Sequence, residues 1–165
     1  MINFNTNGGK FNFRVAGLIF DNNRLLIHRL KTDNFFALPG GRVEFMENTE
    51  ATLIREMKEE LNIDVEIEQL LWIGEHFYEY SNTQYHEICY YYLLKTDDKT
   101  LNTTNNTFEI VEENRSYEFK WLPLHDLQNE TFYPLFIKKR INALPERIEK
   151  FVEIGDDFYE KWFRN

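Results

Sequence analysis

The chain has 165 residues, enough for one domain with a self-sufficient core, and its 42% hydrophobic and 28% charged composition is not that of a disordered chain. A net charge of -9 argues against a nucleic-acid-binding surface, yet leaves phosphate ligands open because bound divalent cations invert the local field. Cys89 is the only cysteine, Met1 to Lys10 carries no signal-type apolar stretch, and no run approaches the ~18 apolar residues of a membrane helix. A cytoplasmic protein with no intrachain disulfide and no membrane contact is expected.

Residues 13–20 read as a largely buried strand, and Asp21-Asn22-Asn23 as a turn that returns the chain along Arg24 to Leu30. Phe35 to Leu38 is a short extended piece ending at Pro39-Gly40-Gly41, where paired glycines allow backbone shapes closed to other residues. Thr49 to Leu61 is the clearest helix. Asn48 or Thr49 caps its start, Glu50 suits its first turn, and Asn62 takes the left-handed position after its end.

Val65 to Tyr80 and His86 to Leu94 are rich in branched and aromatic residues, and the polar Ser81 to Gln84 joins them as a hairpin. Asp97 to Thr107 is a polar loop, and Tyr117 to Leu122 another strand. Pro134 to Leu144 reads as a helix with Ile137 and Ile141 on one face. Pro145 interrupts that helix or begins another ending near Ile154. The tail from Gly155 to Asn165 carries Phe158, Tyr159, Trp162 and Phe163 and is expected to dock. One domain over 1–165 follows, with a core over about 13–127 and a helical segment over about 134–165. Its class is α/β or α+β, a mixed sheet with helices on its faces.

The chemistry gathers on the first helix. At ~100° per residue from Ala51, Leu53, Ile54, Met57 and Leu61 fall between roughly 200° and 300°. Glu59, Glu56 and Glu60 fall at about 80°, 140° and 180°, a second face. Clustered carboxylates repel one another, and Arg55 and Lys58 relieve part of that. A hard divalent cation, which prefers oxygen ligands, is the other remedy. A solvated acidic face is the bland alternative, and the upstream Gly40-Gly41 and Glu47 weigh against it.

These residues resemble the Nudix box: Gly41, five residues, Glu47, seven residues, then Arg55-Glu56-Met57-Lys58-Glu59-Glu60-Leu61-Asn62-Ile63. Both spacers have the family's length, and the one departure is Asn62 in place of glycine, the next best residue for a left-handed helix end. The resemblance implies an α/β/α sandwich and a Mg²⁺ or Mn²⁺ cofactor. It casts Glu59 and Glu60 as metal ligands, Glu56 as ligand or base, and the Gly40 carbonyl as a further ligand. Arg55 and Glu47 become an orienting pair, and Glu118 or Glu113 supplies a later acid.

The implied activity is hydrolysis of a phosphoanhydride bond in a nucleoside diphosphate linked to another moiety. A deoxynucleoside triphosphate, an ADP-ribose-like compound and a dinucleoside polyphosphate all stay open as that nucleotide substrate. The proline many ADP-ribose hydrolases carry downstream of the box is absent from Phe77 to Tyr80. A regulatory domain that binds a nucleotide without cleaving it is the alternative, though its usual mark, a broken box, is missing. His28, His76, His86 and His125 show no metal-ligand spacing and read as structural or pocket-lining. The aromatic hairpin strands, with Tyr90 to Tyr92, suit a base pocket or a homodimer face alike.

Overall fold

The structure, a computed structural model, describes residues 1–98, 101, 106–112 and 114–155. Strands β1 (Asn3–Thr6), β2 (Gly9–Asp21) and β3 (Arg24–Leu30) precede helix α1 (Thr49–Leu61). Then come β4 (Glu66–Tyr80), β5 (Thr83–Lys95), β6 (Thr107–Glu112), β7 (Arg115–Pro123), a short helix α2 (Phe136–Arg140) and β8 (Glu149–Ile154). One mixed sheet runs in the order β6-β7-β3-β2-β5-β4-β8, with β1 paired to the start of β2. The β2–β5 and β4–β8 pairs are parallel and the others antiparallel. Among the described residues no helix is long and apolar enough to cross a membrane.

Alternation sorts the side chains onto two faces. Val15, Ile19, Leu26, Tyr92, Phe119 and Trp121 pack with Leu53, Met57 and Leu61 of α1. Ala16, Leu18, Ile27, Tyr91 and Leu122 pack on the other face with Ile137 and Ile141. Full burial of a side chain such as Leu53 or Met57 contributes about 1.5–3 kcal/mol. The result is a helix, sheet and helix arrangement, an α+β fold of the expected class.

The sheet opens near its middle. Strand β2 pairs with β3 only at Phe20↔Leu25 and Asp21↔Arg24. Below that point the glycine segment fills the split. His28 exchanges both backbone hydrogen bonds with Ala37, at 2.9 and 2.8 Å. Gly17 N–H donates to the Pro39 carbonyl at 2.9 Å, and Val15 and Gly41 exchange bonds of 2.9 and 3.1 Å. Val43 N–H donates to the Phe13 carbonyl at 3.0 Å. Gly40, at φ 149°, lies so close to β2 that a Cβ there would sit 2.2 Å from the Val15 carbonyl oxygen. Only glycine fits.

Helix α1 is capped as its sequence requires. The Asn48 side chain accepts the Ala51 N–H at 2.8 Å, and Asn62 adopts φ 54° with its N–H bonded to the Lys58 carbonyl at 3.0 Å. Its roll departs from expectation. Ile54 is 42% exposed, whereas Thr52 is fully buried with Leu53, Met57 and Leu61. The buried arc is therefore turned toward the acids, and Glu56 and Glu60 are half-buried where a separate solvent face was expected.

The C-terminal helical segment needs the larger correction. Helix α2 spans only Phe136–Arg140, and Glu149–Ile154 is a strand parallel to β4. Helical pairing has ended before Pro145, and beyond it Phe151 and Glu153 turn inward while Lys150 and Val152 face solvent, a period of two. Strands β1 and β6 were also not expected. Phe158, Tyr159, Trp162 and Phe163 lie outside the described residues.

Replacing Asn62 by alanine forces a Cβ-bearing residue without a local polar partner into the left-handed region. It should cost about 1 kcal/mol, while Asn62→Gly should be neutral or better. Urea unfolding of the two variants checks this, and equal midpoints would deny the cap its role.

Candidate active site

Arg55, in the middle of α1, organises the acids around it. Its Nε donates to Glu47 Oε1 at 3.1 Å and its Nη2 to Glu47 Oε2 at 2.9 Å. Its Nη1 donates to Glu56 Oε1 at 2.8 Å and to Glu59 Oε2 at 2.9 Å. Thr52, absent from the expected site, adds a 2.8 Å hydroxyl bond to Glu47 Oε2. One guanidinium thus ties the loop before α1 to two carboxylates on it. The doubled contact with Glu47 gives the pairing a fixed direction, unlike a flexible surface pair.

Two opposite displacements of acidity follow. Glu47 is held below the usual carboxylate range, chiefly by its hydrogen bond to Arg55 and further by Thr52. Glu56 is pushed above that range by burial, which outweighs the nearby Arg55 charge. The Glu56 carboxylate rests on Gly41, where a Cβ would lie 2.1 to 2.3 Å from its atoms. That cradle needs the missing side chain. Glu59 is half exposed at the rim, and Glu60 is half-buried with its Oε2 shielded from solvent.

The donor chemistry fits a hard cation: carboxylates from Glu56, Glu59 and Glu60, with the Gly40 carbonyl on the adjoining loop. Among the described residues no three acids, histidines or cysteines already converge on one point, because Arg55 holds oxygens of Glu56 and Glu59 toward itself. Glu56 Oε2 and Glu59 Oε1 are not engaged by it.

Glu118 is not brought to this group. Tyr117, Phe119 and Trp121 of β7 face α1, so Glu118 points to the opposite side of the sheet, where Arg29 Nε donates to its Oε2 at 2.7 Å. Strand alternation decides that, and the one-residue offset could not be read without the register. Glu113 lies outside the described residues. Three of the histidines serve packing or side-chain contacts: His76 Nε2 meets the Tyr91 hydroxyl at 2.8 Å, His86 Nε2 meets Glu75 at 2.8 Å, and His28 is buried beside Tyr117 and Phe119. Phe35, Tyr80 and Tyr133 form an edge-on ring cluster at the surface, with the Tyr80 hydroxyl donating to Asp33 at 2.8 Å.

Comparison with known proteins bears on these residues. A family model described as the NUDIX domain matches residues 10–141. An ADP-ribose pyrophosphatase of Methanocaldococcus jannaschii is 39% identical over 62 residues, 36% of this chain, and the chain spans 37% of that relative's length. A MutT protein of Bacillus halodurans shares the fold with a TM-score of 0.63 at 14% identity, over 89% of this chain and 92% of its own. A UDP-X diphosphatase structure gives a TM-score of 0.53 at 17% identity, over 79% of this chain and 59% of its own. At such identities the structural likeness is one of fold.

Burial first, and the neighbouring Arg14 charge second, push the His28 pKa down to about 3, against a smaller opposing effect of the Leu38 backbone. The imidazole is neutral in the fold, whereas in the unfolded chain it takes up a proton near its ordinary value of 6.5. Its contribution is present above about pH 6.5 and is lost as pH falls toward about 3. The gap in thermal midpoint between the parent and His28→Gln should therefore shrink from pH 7 to pH 4. A pH-independent gap would show that His28 does not titrate in this way.

Proposed function

The chain belongs to the NUDIX domain family, and from that premise we propose that it is a metal-dependent nucleotide pyrophosphohydrolase. Its reaction is hydrolysis of a phosphoanhydride bond in a nucleoside diphosphate linked to a second group. The observation that carries this reading is the placement of the Glu56 carboxylate on the bare Cα of Gly41, joined through Arg55 to Glu47 and Glu59. Such an assembly brings three acids to the edge of a backbone loop with a carbonyl to spare.

Glu59, Glu60 and the Gly40 carbonyl would hold Mg²⁺ or Mn²⁺, with Glu56 as a further ligand or as the base. When bound, such an ion offsets phosphoryl charge and lowers the pKa of a coordinated water. The remaining work is positional and electrostatic. Glu56, with its acidity weakened by burial, is suited to accept a proton from the attacking water at Oε2, the oxygen Arg55 does not take. Arg55 holds Glu47, Glu56 and Glu59 together where the loop meets the helix. Glu47 ties the loop to the helix and stays ionised.

Two of the relatives' names, ADP-ribose pyrophosphatase and UDP-X diphosphatase, state a nucleotide diphosphate linked to a second group, and this supports the same class here. A panel of ADP-ribose, UDP-sugars, deoxynucleoside triphosphates and dinucleoside polyphosphates with Mg²⁺, reading released nucleoside monophosphate or phosphate, tests it. Glu59→Gln and Glu60→Gln should each lower turnover about 100-fold or more. Near-normal rates in both variants would remove the metal role of these acids. Arg55→Ala should lower kcat while Mn²⁺ binding by calorimetry changes less, since Arg55 orders the acids without being a ligand. Unchanged kcat in that variant would deny it the orienting role.

A further inference from the structure

Helix α1 packs over one end of its side of the sheet. At the other end, cross-strand register aligns Phe4, Phe11, His86, Phe77 and Ile154 in one row across β1, β2, β5, β4 and β8. Phe13, two residues along β2 from Phe11, packs with the α1 core, so strand alternation puts the row on that helix's side of the sheet. None of the row's apolar members is among the described residues of either core. Along the row the rings touch: Phe4 stacks on Phe11 at 5.0 Å, Phe11 meets His86 edge-on at 5.5 Å, and His86 stacks on Phe77 at 4.5 Å.

The usual order of burial is reversed here. Asn12, His76 and Glu87, on the opposite face of the same strands, are buried, whereas Phe11, Phe77 and Ile154 are partly exposed and Phe4 is 54% exposed. Beside the row, Ile88 is partly exposed and Val152 is 59% exposed. A sheet face this apolar is ordinarily packed under a second layer. Five strands ~4.8 Å apart and two rows of side chains ~7 Å apart give a face on the order of 300 Å². That is well short of the ~800 Å² per partner of a standard dimer interface, and it suits a short helix, about 15 Å long for ten residues.

The chain supplies such a segment at the right place. Gly155 N–H donates to the Phe77 carbonyl at 2.8 Å, so the chain leaves β8 beside the row. Residues 156–165 follow, outside the described residues. At ~100° per residue, a helix would gather Phe158, Tyr159, Trp162 and Phe163 within an arc of about 140°, with Asp156 and Asp157 at its start, where carboxylates are favoured. A strand would divide the same four rings between two faces. We propose that residues 156–165 dock as an amphipathic helix across the ring row and complete the layer that α1 begins. At 1.5 Å per residue, Trp162 then stands about 10 Å from Gly155, two strand spacings from β8 and over His86. Glu160, Lys161 and Arg164 face water. The docking is independent of the hydrolase reading.

Iodide quenching of Trp162 fluorescence tests this in the intact chain. Trp72 and Trp121 are 1% and 2% exposed, so the quenchable emission comes from Trp162, and Trp162→Phe supplies the baseline. In the native parent Trp162 should be quenched severalfold less readily than N-acetyltryptophanamide. Phe11→Gln should raise its quenching toward that of the free amide. Buried emission from Trp72 and Trp121 in the Trp162→Phe background shows that the variant folds. Phe4→Gln, at a position already half exposed, carries the test should Phe11→Gln unfold the protein. The docking is overturned if Trp162 in the native parent is quenched as readily as the free amide, or if its shielding survives in every face variant that folds. Shielding that disappears on dilution, as the sedimenting species falls from two chains to one, gives the face to a second copy and overturns it as well.

Discussion

The Arg55 guanidinium is the interaction on which the site's geometry depends. Without it, Glu47, Glu56 and Glu59 would be three like charges around one turn of helix and the loop before it, and each would seek solvent in its own direction. With it, two of Glu47's oxygens and one each from Glu56 and Glu59 lie within 3.1 Å of one planar group. The helix can then roll its acid side toward the sheet, which explains why Ile54 is left in solvent and Thr52 is buried. Packing of Leu53, Met57 and Leu61 and pairing of Arg55 pull the helix to the same orientation, so the hydrophobic and electrostatic requirements are met by one rotation.

The split between β2 and β3 supplies the other half of the constraint. A continuous β2–β3 ladder would leave no place for a loop within the sheet. Because the ladder stops after Phe20 and Asp21, residues 37–43 enter as a short pairing segment and inherit the sheet's alternation. Gly41 therefore faces the helix and Arg42 faces away. The glycines allow the backbone to lie against β2 on one side and under the Glu56 carboxylate on the other.

What could be read from the sequence was what is local. Asn48, Thr49 to Leu61 and Asn62 mark a helix whose caps lie within a few residues of the backbone groups they satisfy. The spacing from Gly41 to Glu60 likewise reports a loop and helix of defined length. The failures share one cause, which is that register is a long-range property. Glu118 and Trp121 sit on opposite faces of β7, and nothing near Glu118 says which face meets α1. Strand β8 hides behind Pro145 because its partner, β4, lies 77 residues earlier in the chain, as in Trp72↔Glu149. The alternation of Phe151 and Glu153 was its available signal. Arg14 and Arg42 looked like unremarkable members of a strand and a spacer, and only their pairing makes them neighbours.

Charge is arranged across the loop rather than averaged over the surface. A chain of net charge -9 should repel a polyphosphate, and a helix face of glutamates should repel it most. Glu56 and Glu60 are instead half-buried, and Arg55 partly neutralises Glu47, Glu56 and Glu59. On the opposite side Arg14 and Arg42 stand as a pair, and Glu87 is engaged by Asn12 and Tyr78. Gly41 under the Glu56 carboxylate and Arg42 on the far face are thus set in one orientation. The orientation follows from the parity of the pairing between residues 13–17 and 39–43. A shift of one residue would exchange the roles of Gly41 and Arg42 and place a guanidinium where the Glu56 carboxylate now rests.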